Sequence, residues 1–372
     1  MFKLNPLDVK RVVKTTVLIN ASLIFLMTSC GSSDSSGTID DFVETEIEDT
    51  ESAYTYADCS ALTVQVELMT CLAENLLSTL STTEVDTMLN DLTETNATES
   101  WSNLPTGSFD YNGILIDDLS DDAQEAAEAL LDEALSDQGN QTMEQIRLAD
   151  EYLSTFDGNV YGEDNYAVAF LGEPSIDEPW IVEFAGHHYT FFASYNAEPV
   201  SLTPNFVAVE PVTWSDGDTT YSPMAQHQEA LVALFDSLDS GQLVTALLPD
   251  AYDDVLVGPQ DDGNYPDEQE GLIVADLSDA QKALVIAVIE AYAGDANGTG
   301  QSANYTSDEQ LDLTYIAYGS YPDITTQESY ARIDGPNIWI EFTVQGGVVF
   351  SDNHYHSIWR DKELDYGGNF DL

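Results

Sequence analysis

Apolar residues recur at helical spacing in two stretches of the chain, each within a residue of the tripeptide "DLS". "DAQEAAEALLDEAL" follows Ser120 and "DAQKALVIAVIEAYA" follows Ser278, so each serine is the expected N-cap of an amphipathic helix. An earlier helix is predicted in "LSTTEVDTMLNDL" and again in "LDSGQLVTALL". The pattern then changes to short apolar or alternating runs. "NYAVAFLG", "WIVEFAGHHYTFFASY" and "VSLTPNFVAVEPVTW" come first, then "LTYIAYG", "YARIDG", "NIWIEFTVQ" and "GVVFSDNHYHSIW". These read as strands, with "QGG" as a hairpin turn. Helices followed by antiparallel strands, twice over, give an α+β fold.

The two successions resemble one another residue by residue. "LSTLSTTEVDTML" from Leu77 matches "FDSLDSGQLVTAL" from Phe235, and "GILIDDLSDDAQ" from Gly113 matches "GLIVADLSDAQ" from Gly271, at one common offset. The pairs Glu183–Phe184 and Glu341–Phe342 share that offset. A tandem duplication is therefore expected, with halves of about 75–215 and 230–368 packed around a pseudo-twofold axis in one compact body, 56–372.

The first residues follow different rules. Lys3, Lys10, Arg11 and Lys14 precede an apolar run from Val17 to Met27, too short to span a bilayer comfortably, and "LMTSC" follows. This reads as a signal peptide over 1–29 with Cys30 as a lipidation site, and hence as an exported protein tied to a bacterial membrane by lipid. Residues 30–55, rich in Ser, Thr, Asp and Glu, form the expected tether. Cys59 and Cys71 remain as an even pair, and an oxidising compartment makes them a disulfide.

Charge narrows the partners. Asp and Glu number 68 against nine Lys and Arg, a formal net charge of −59. Beyond the signal only Arg147, Lys282, Arg332, Arg360 and Lys362 are basic, so nucleic acid and anionic lipid surfaces are repelled. Arg332 and Arg360 are expected to be paired internally or aimed at an anion. The acidic, turn-rich segment from Asp250 to Gly271 does not complete a calcium-binding EF-hand loop.

Four of the five histidines occur as "GHH" (His187, His188) and "HYH" (His354, His356). On a strand, His354 and His356 share a face, joined by Arg360, while Tyr355, Ser357 and Trp359 take the other. That spacing suits two ligands of one metal ion. In the adjacent pair at most one histidine is a ligand, the other orienting it. Three imidazoles with Glu183, Glu341 or water suit zinc or copper better than magnesium or calcium. Glu183 and Glu341, each interrupting an apolar strand, are candidate acid/base groups or partners for the arginines, and Arg360 is a candidate anion-holding group. A hydrogen-bonded core of His, Arg, Tyr and Glu is the plainer reading of the same residues. His227, in "SPMAQHQEA", reads as exposed. Esterase, zinc-protease, P-loop and dinucleotide fingerprints are absent.

From about Leu77 to Gly368 the chain resembles the domain of unknown function 3500 family, DUF3500, of bacterial exported proteins. The resemblance is carried by "WSNLP", "GILIDDLS", "FLGEPS", "WIVEFAGHH", "LTPNF", "YARIDGPNIWIEF" and "HYHSIWRDKELDYGG". It departs where Ser329, Tyr330 and Ala331 precede Arg332 in place of a Tyr-Tyr run, and where "NFDL" ends the chain in place of a further His-Tyr. The resemblance implies that the histidines belong to a shared architecture, and it implies no reaction.

The expected function is thus an exported lipoprotein with a histidine metal site between two halves, metal-dependent catalysis included. The alternatives are a module binding a small molecule or peptide without turnover, and a structural surface protein.

Overall fold

The structure, a computed structural model, describes residues 52–158 and 160–372. The expected signal segment, Cys30 and the tether as far as residue 51 lie outside the described residues. Among those described, no helix is long and apolar enough to cross a membrane. Cys59 and Cys71 are joined as a disulfide at the start of the body.

A single mixed sheet of twelve strands organises the body. Its eight principal strands are β1 (Tyr166–Leu171), β2 (Trp180–Gly186), β3 (Tyr189–Tyr195), β4 (Asn205–Val209), β5 (Tyr315–Gly319), β6 (Tyr330–Asp334), β7 (Ile338–Gly346) and β8 (Asn353–Asp361). They lie in the order β1-β2-β3-β4-β8-β7-β6-β5, every neighbour antiparallel. Two-residue strands border each end: Leu89–Asn90 runs parallel to β1, Ile114–Leu115 pairs β1, and Leu272–Ile273 pairs β5. The α+β reading holds at this level. The matching "EF" dipeptides sit in β2, second from one end of the eight, and β7, third from the other. Similar burial therefore accounts for their likeness better than equivalent position.

The helices behave as their caps require. Ser120 accepts from the Ala123 amide to start α1 (Asp121–Ala134), and Ser278 accepts from the Gln281 amide in a full capping box to start α4 (Asp279–Ala293). Each such cap contributes about 1 kcal/mol. The glycine opening each "GILI" or "GLIV" motif has a strict reason. Gly113 and Gly271 adopt φ +78° and +105°, and a Cβ there would collide with the carbonyl oxygens of Val168 and Ile316 respectively. Between α1 and β1 runs α2 (Asp137–Asp157), which packs on β3 and β4. The helix α3 (Ala225–Asp236) packs on α4.

Helices cover one face of the sheet with a continuous apolar core that includes Leu130, Ile146, Phe184, Tyr189, Val207, Ile340 and Trp359. Loops cover the other, where Trp101, Phe192, Phe206, Ile358 and Tyr366 make a smaller core. A sheet buried on both faces makes most of its strand residues inaccessible, polar ones included. His227 is among them: it lies on α3, fully buried with its ring 4.5 Å from Tyr292, and the expectation of exposure was wrong. It occupies the helix stripe continued by Leu231 and Leu234, and helical position overrides its polar neighbours.

Candidate metal centre

The histidines meet at one end of the sheet, where the β2–β3 hairpin faces the start of β8. His187 and His188 form the hairpin's tip, and the carbonyl of His188 accepts from the Ala208 amide of β4 at 2.7 Å. Gly186 is required just before them, because a Cβ would collide with the Tyr166 ring. Tyr166 passes through that space to donate to Asp150 Oδ2 of α2 at 2.6 Å.

Asp150 then faces both hairpin histidines. Its Oδ1 lies 2.7 Å from His188 Nδ1 and 3.4 Å from His187 Nδ1. The rings of His187 and His188 stack at 3.5 Å. Donor atoms of Asp150, His187 and His188 all fall within 4.8 Å of one another, a group that can hold a metal ion.

His188 extends the cluster from its other nitrogen. His188 Nε2 is 3.2 Å from His354 Nε2, which is in turn 3.1 Å from His356 Nε2. His354 and His356 share a face of β8, as the strand period requires. Carboxylates stand behind these two rings as well. His356 Nδ1 lies 2.9 Å from Asp254 Oδ1, and His354 Nδ1 lies 3.8 Å from Glu210 Oε2. Glu210, directly after β4, is held by the backbone amides of Val348, Val349 and Phe350, at 3.0, 2.9 and 2.6 Å, in the β7–β8 connection.

Burial sets the protonation of His188 and His354. Desolvation, reinforced by His187, pushes His188 down to about 4, and desolvation with His356 and His188 pushes His354 far lower. Burial works against the charge of Asp150, but the facing His188 and His187 hold its carboxyl well below the ordinary range. Buried rings at neutral pH therefore keep nitrogen lone pairs available, the state in which imidazole ligates a metal.

The remaining predicted residues stand elsewhere on the loop-covered face. Glu183 takes one hydrogen bond from Asn112 Nδ2 at 2.9 Å, its other oxygen has none, and burial raises its carboxyl to about 8. Glu341 accepts from the amides of Leu256 and Val257, from Tyr330 Oη and from Trp339 Nε1, all between 2.6 and 2.9 Å. Arg360 donates to the carbonyls of Val257 and Gly258 and pairs with Asp262 and Asp365. Glu341 and Arg360 thus fasten a strap, residues 250–262, across the sheet, and that strap delivers Asp254 to His356.

Three carboxylates of the cluster were missed by sequence reasoning. Asp150 had a signal: it falls on the helical stripe of Met143, Ile146 and Leu153, where an acid is out of place. Glu210 interrupts an apolar strand before a proline. Asp254, one of several acids in its loop, had none.

The profile of a family described as "Protein of unknown function (DUF3500)" matches residues 63–368. No curated protein and no solved structure matches the chain.

Proposed function

For a chain that belongs to the DUF3500 family, we propose a metal-binding function centred on the Nε2 atoms of His188, His354 and His356. One observation carries the reading. The Nε2 atoms of His188 and His356 both face that of His354, and behind the rings of His188, His354 and His356 carboxylate oxygens of Asp150, Glu210 and Asp254 lie 2.7, 3.8 and 2.9 Å from Nδ1, the last in a hydrogen bond. A carboxylate hydrogen-bonded to the far nitrogen fixes the tautomer that leaves Nε2 free and raises its basicity, as at metal sites generally; Asp254 makes that bond to His356. Ligand bonds near 2.0–2.1 Å in a tetrahedron place donor atoms about 3.3 Å apart; the two contacts at His354, 3.1 and 3.2 Å, are close to that edge, whereas the third edge, His188 to His356, is open and must shorten when an ion binds. An all-imidazole set suits zinc or copper. With three protein ligands, a zinc ion keeps a position for water and lowers its pKa to about 7. His187 stacks on His188 and shares Asp150, so it steadies the ring without ligating.

A second donor set, Asp150 with His187 and His188, is favoured by its compactness. The two separate by mutation. Metal analysis of untagged protein incubated with zinc or copper is expected to give one ion per chain in the wild type and in His187→Ala, and none in His354→Ala/His356→Ala. Loss in His187→Ala with retention in the double variant moves the ion to the Asp150 set. Equal, near-zero content in all three ends the metal reading.

Export and duplication belong to the same proposal. The basic-then-apolar N-terminus ending at Cys30 and the Cys59–Cys71 disulfide support a lipid-anchored protein in an oxidising compartment. Cys30→Ser should move the expressed protein from the membrane to the soluble fraction, and unchanged partition would count against the anchor. The order β1-β2-β3-β4-β8-β7-β6-β5 and the repeated strand, turn and helix at 114–134 and 272–293 support two related halves meeting at β4 and β8.

A further inference from the structure

Among the described residues, Arg147, Lys282, Arg360 and Lys362 each hold a carboxylate within 2.8 Å. Arg332 does not. It is fully buried on β6, its Nε donates to Tyr330 Oη at 2.9 Å and the Tyr252 hydroxyl also supports its charge, but NH1 and NH2 meet no acceptor in good hydrogen-bond geometry. Its register partner on β7 is Glu341, a carboxylate already committed to four other donors. The nearest acid is Glu270, 3.7 Å from NH1 and with its side chain 37% exposed.

The surroundings are those of a receptor. The guanidinium carbon lies 4.7 Å from the ring centroid of Trp339, 5.1 Å from Tyr252 and 5.3 Å from Tyr330. Aromatic rings hold the plane of the guanidinium and Tyr330 fixes its inner edge, so NH1 and NH2 form a preset fork for a planar anion. Leaving that fork without a close anion inside a chain of 68 acids is costly unless something else fills it.

We propose that Arg332 is the anchor of a binding site for the carboxylate of a small organic acid, which takes NH1 and NH2 together by displacing Glu270. The exchange keeps local charge constant, one monoanion for another, whereas a phosphate dianion would add charge to an already acidic molecule. Glu270 is free to swing outward because its backbone segment is anchored by the neighbouring Gln269, whose Nε2 donates to the Asp334 carbonyl at 2.9 Å. The site requires no metal and stands or falls apart from the histidine centre.

The chain has four arginines, Arg11, Arg147, Arg332 and Arg360, so nitrogen-15 arginine spectra are simple to assign. Titration with acetate is expected to shift the Arg332 guanidinium signals saturably and leave Arg147 and Arg360 still. Glu270→Gln, an exposed-site change that removes the competing charge, is expected to tighten acetate binding about fivefold. Arg332→Lys is expected to abolish the response. A stationary Arg332 signal, a Glu270→Gln affinity equal to or weaker than wild type, or tighter binding of inorganic phosphate than of acetate would each overturn the assignment.

Discussion

His188 and His354 are separated by 166 positions in the chain, yet their Nε2 atoms lie 3.2 Å apart. The tip of one hairpin and the start of the last strand meet because β3 and β8 both pair with β4. The sheet itself holds the two rings together.

Asp254 gives the least disruptive test of that arrangement. Its side chain is 45% exposed and touches His356 at 2.9 Å, so Asp254→Asn should fold as the wild type does. Metal affinity, measured by competition with a chelator, is expected to fall by about 10- to 100-fold. Unchanged affinity would mean that the carboxylate does not support a ligand.

His227 should make the protein acid-sensitive. Burial pushes its folded pKa down to about 3, against about 6.5 in the unfolded chain, and both ring nitrogens lack partners. In that window the unfolded state binds the extra proton, so stability is lost as pH falls from about 6.5 toward 3, by on the order of 4 kcal/mol. Denaturant titrations of His227→Leu from pH 7 to 4 should show a shallower decline and higher stability throughout. An identical slope in both proteins would clear His227 of the effect.

Glu183 acts in the opposite direction. Its folded pKa of about 8 exceeds the unfolded value, so its neutral form contributes stability that is complete below about pH 4.5 and is lost as pH rises through about 8. Glu183→Gln should flatten that loss in thermal unfolding followed between pH 5 and 9. Persistence of the full slope would place its origin in another group.

Glu341 is predicted to matter through the strap it holds. Glu341→Gln removes the charge that two amides share, and hydrogen exchange at Leu256 and Val257 should quicken by at least about tenfold, since such bonds to a charged group are worth ~1.5–3 kcal/mol. Because the same strap carries Asp254 to His356, metal affinity measured alongside should weaken in the same direction as in Asp254→Asn. Unaltered exchange would show that other contacts hold the strap.

How much of this was written in the sequence depends on range. The paired faces of His354 and His356, the serine caps and the helices-then-strands order are local consequences of period and were legible. Alternation along a strand did not apply to His187 and His188: they lie in the hairpin turn, their rings stack on the same side and both face Asp150, so both belong to the compact group that could hold an ion. Asp150 was legible in principle, as an acid within an apolar stripe, but α2 itself went unread among its polar residues. Asp254 was not, because nothing local distinguishes it from neighbouring acids; only the course of the strap does. The polar sequence around His227 misled for the same reason in reverse, since burial on α3 comes from its packing on α4.

The strap is gripped through its peptide groups. Glu341 accepts from the amides of Leu256 and Val257, and Arg360 donates to the carbonyls of Val257 and Gly258. Such grips do not read side chains. The course of the strap past the histidines is therefore set by the two sheet residues that clasp its backbone, while the buried Val257 side chain only fits it to the sheet beneath.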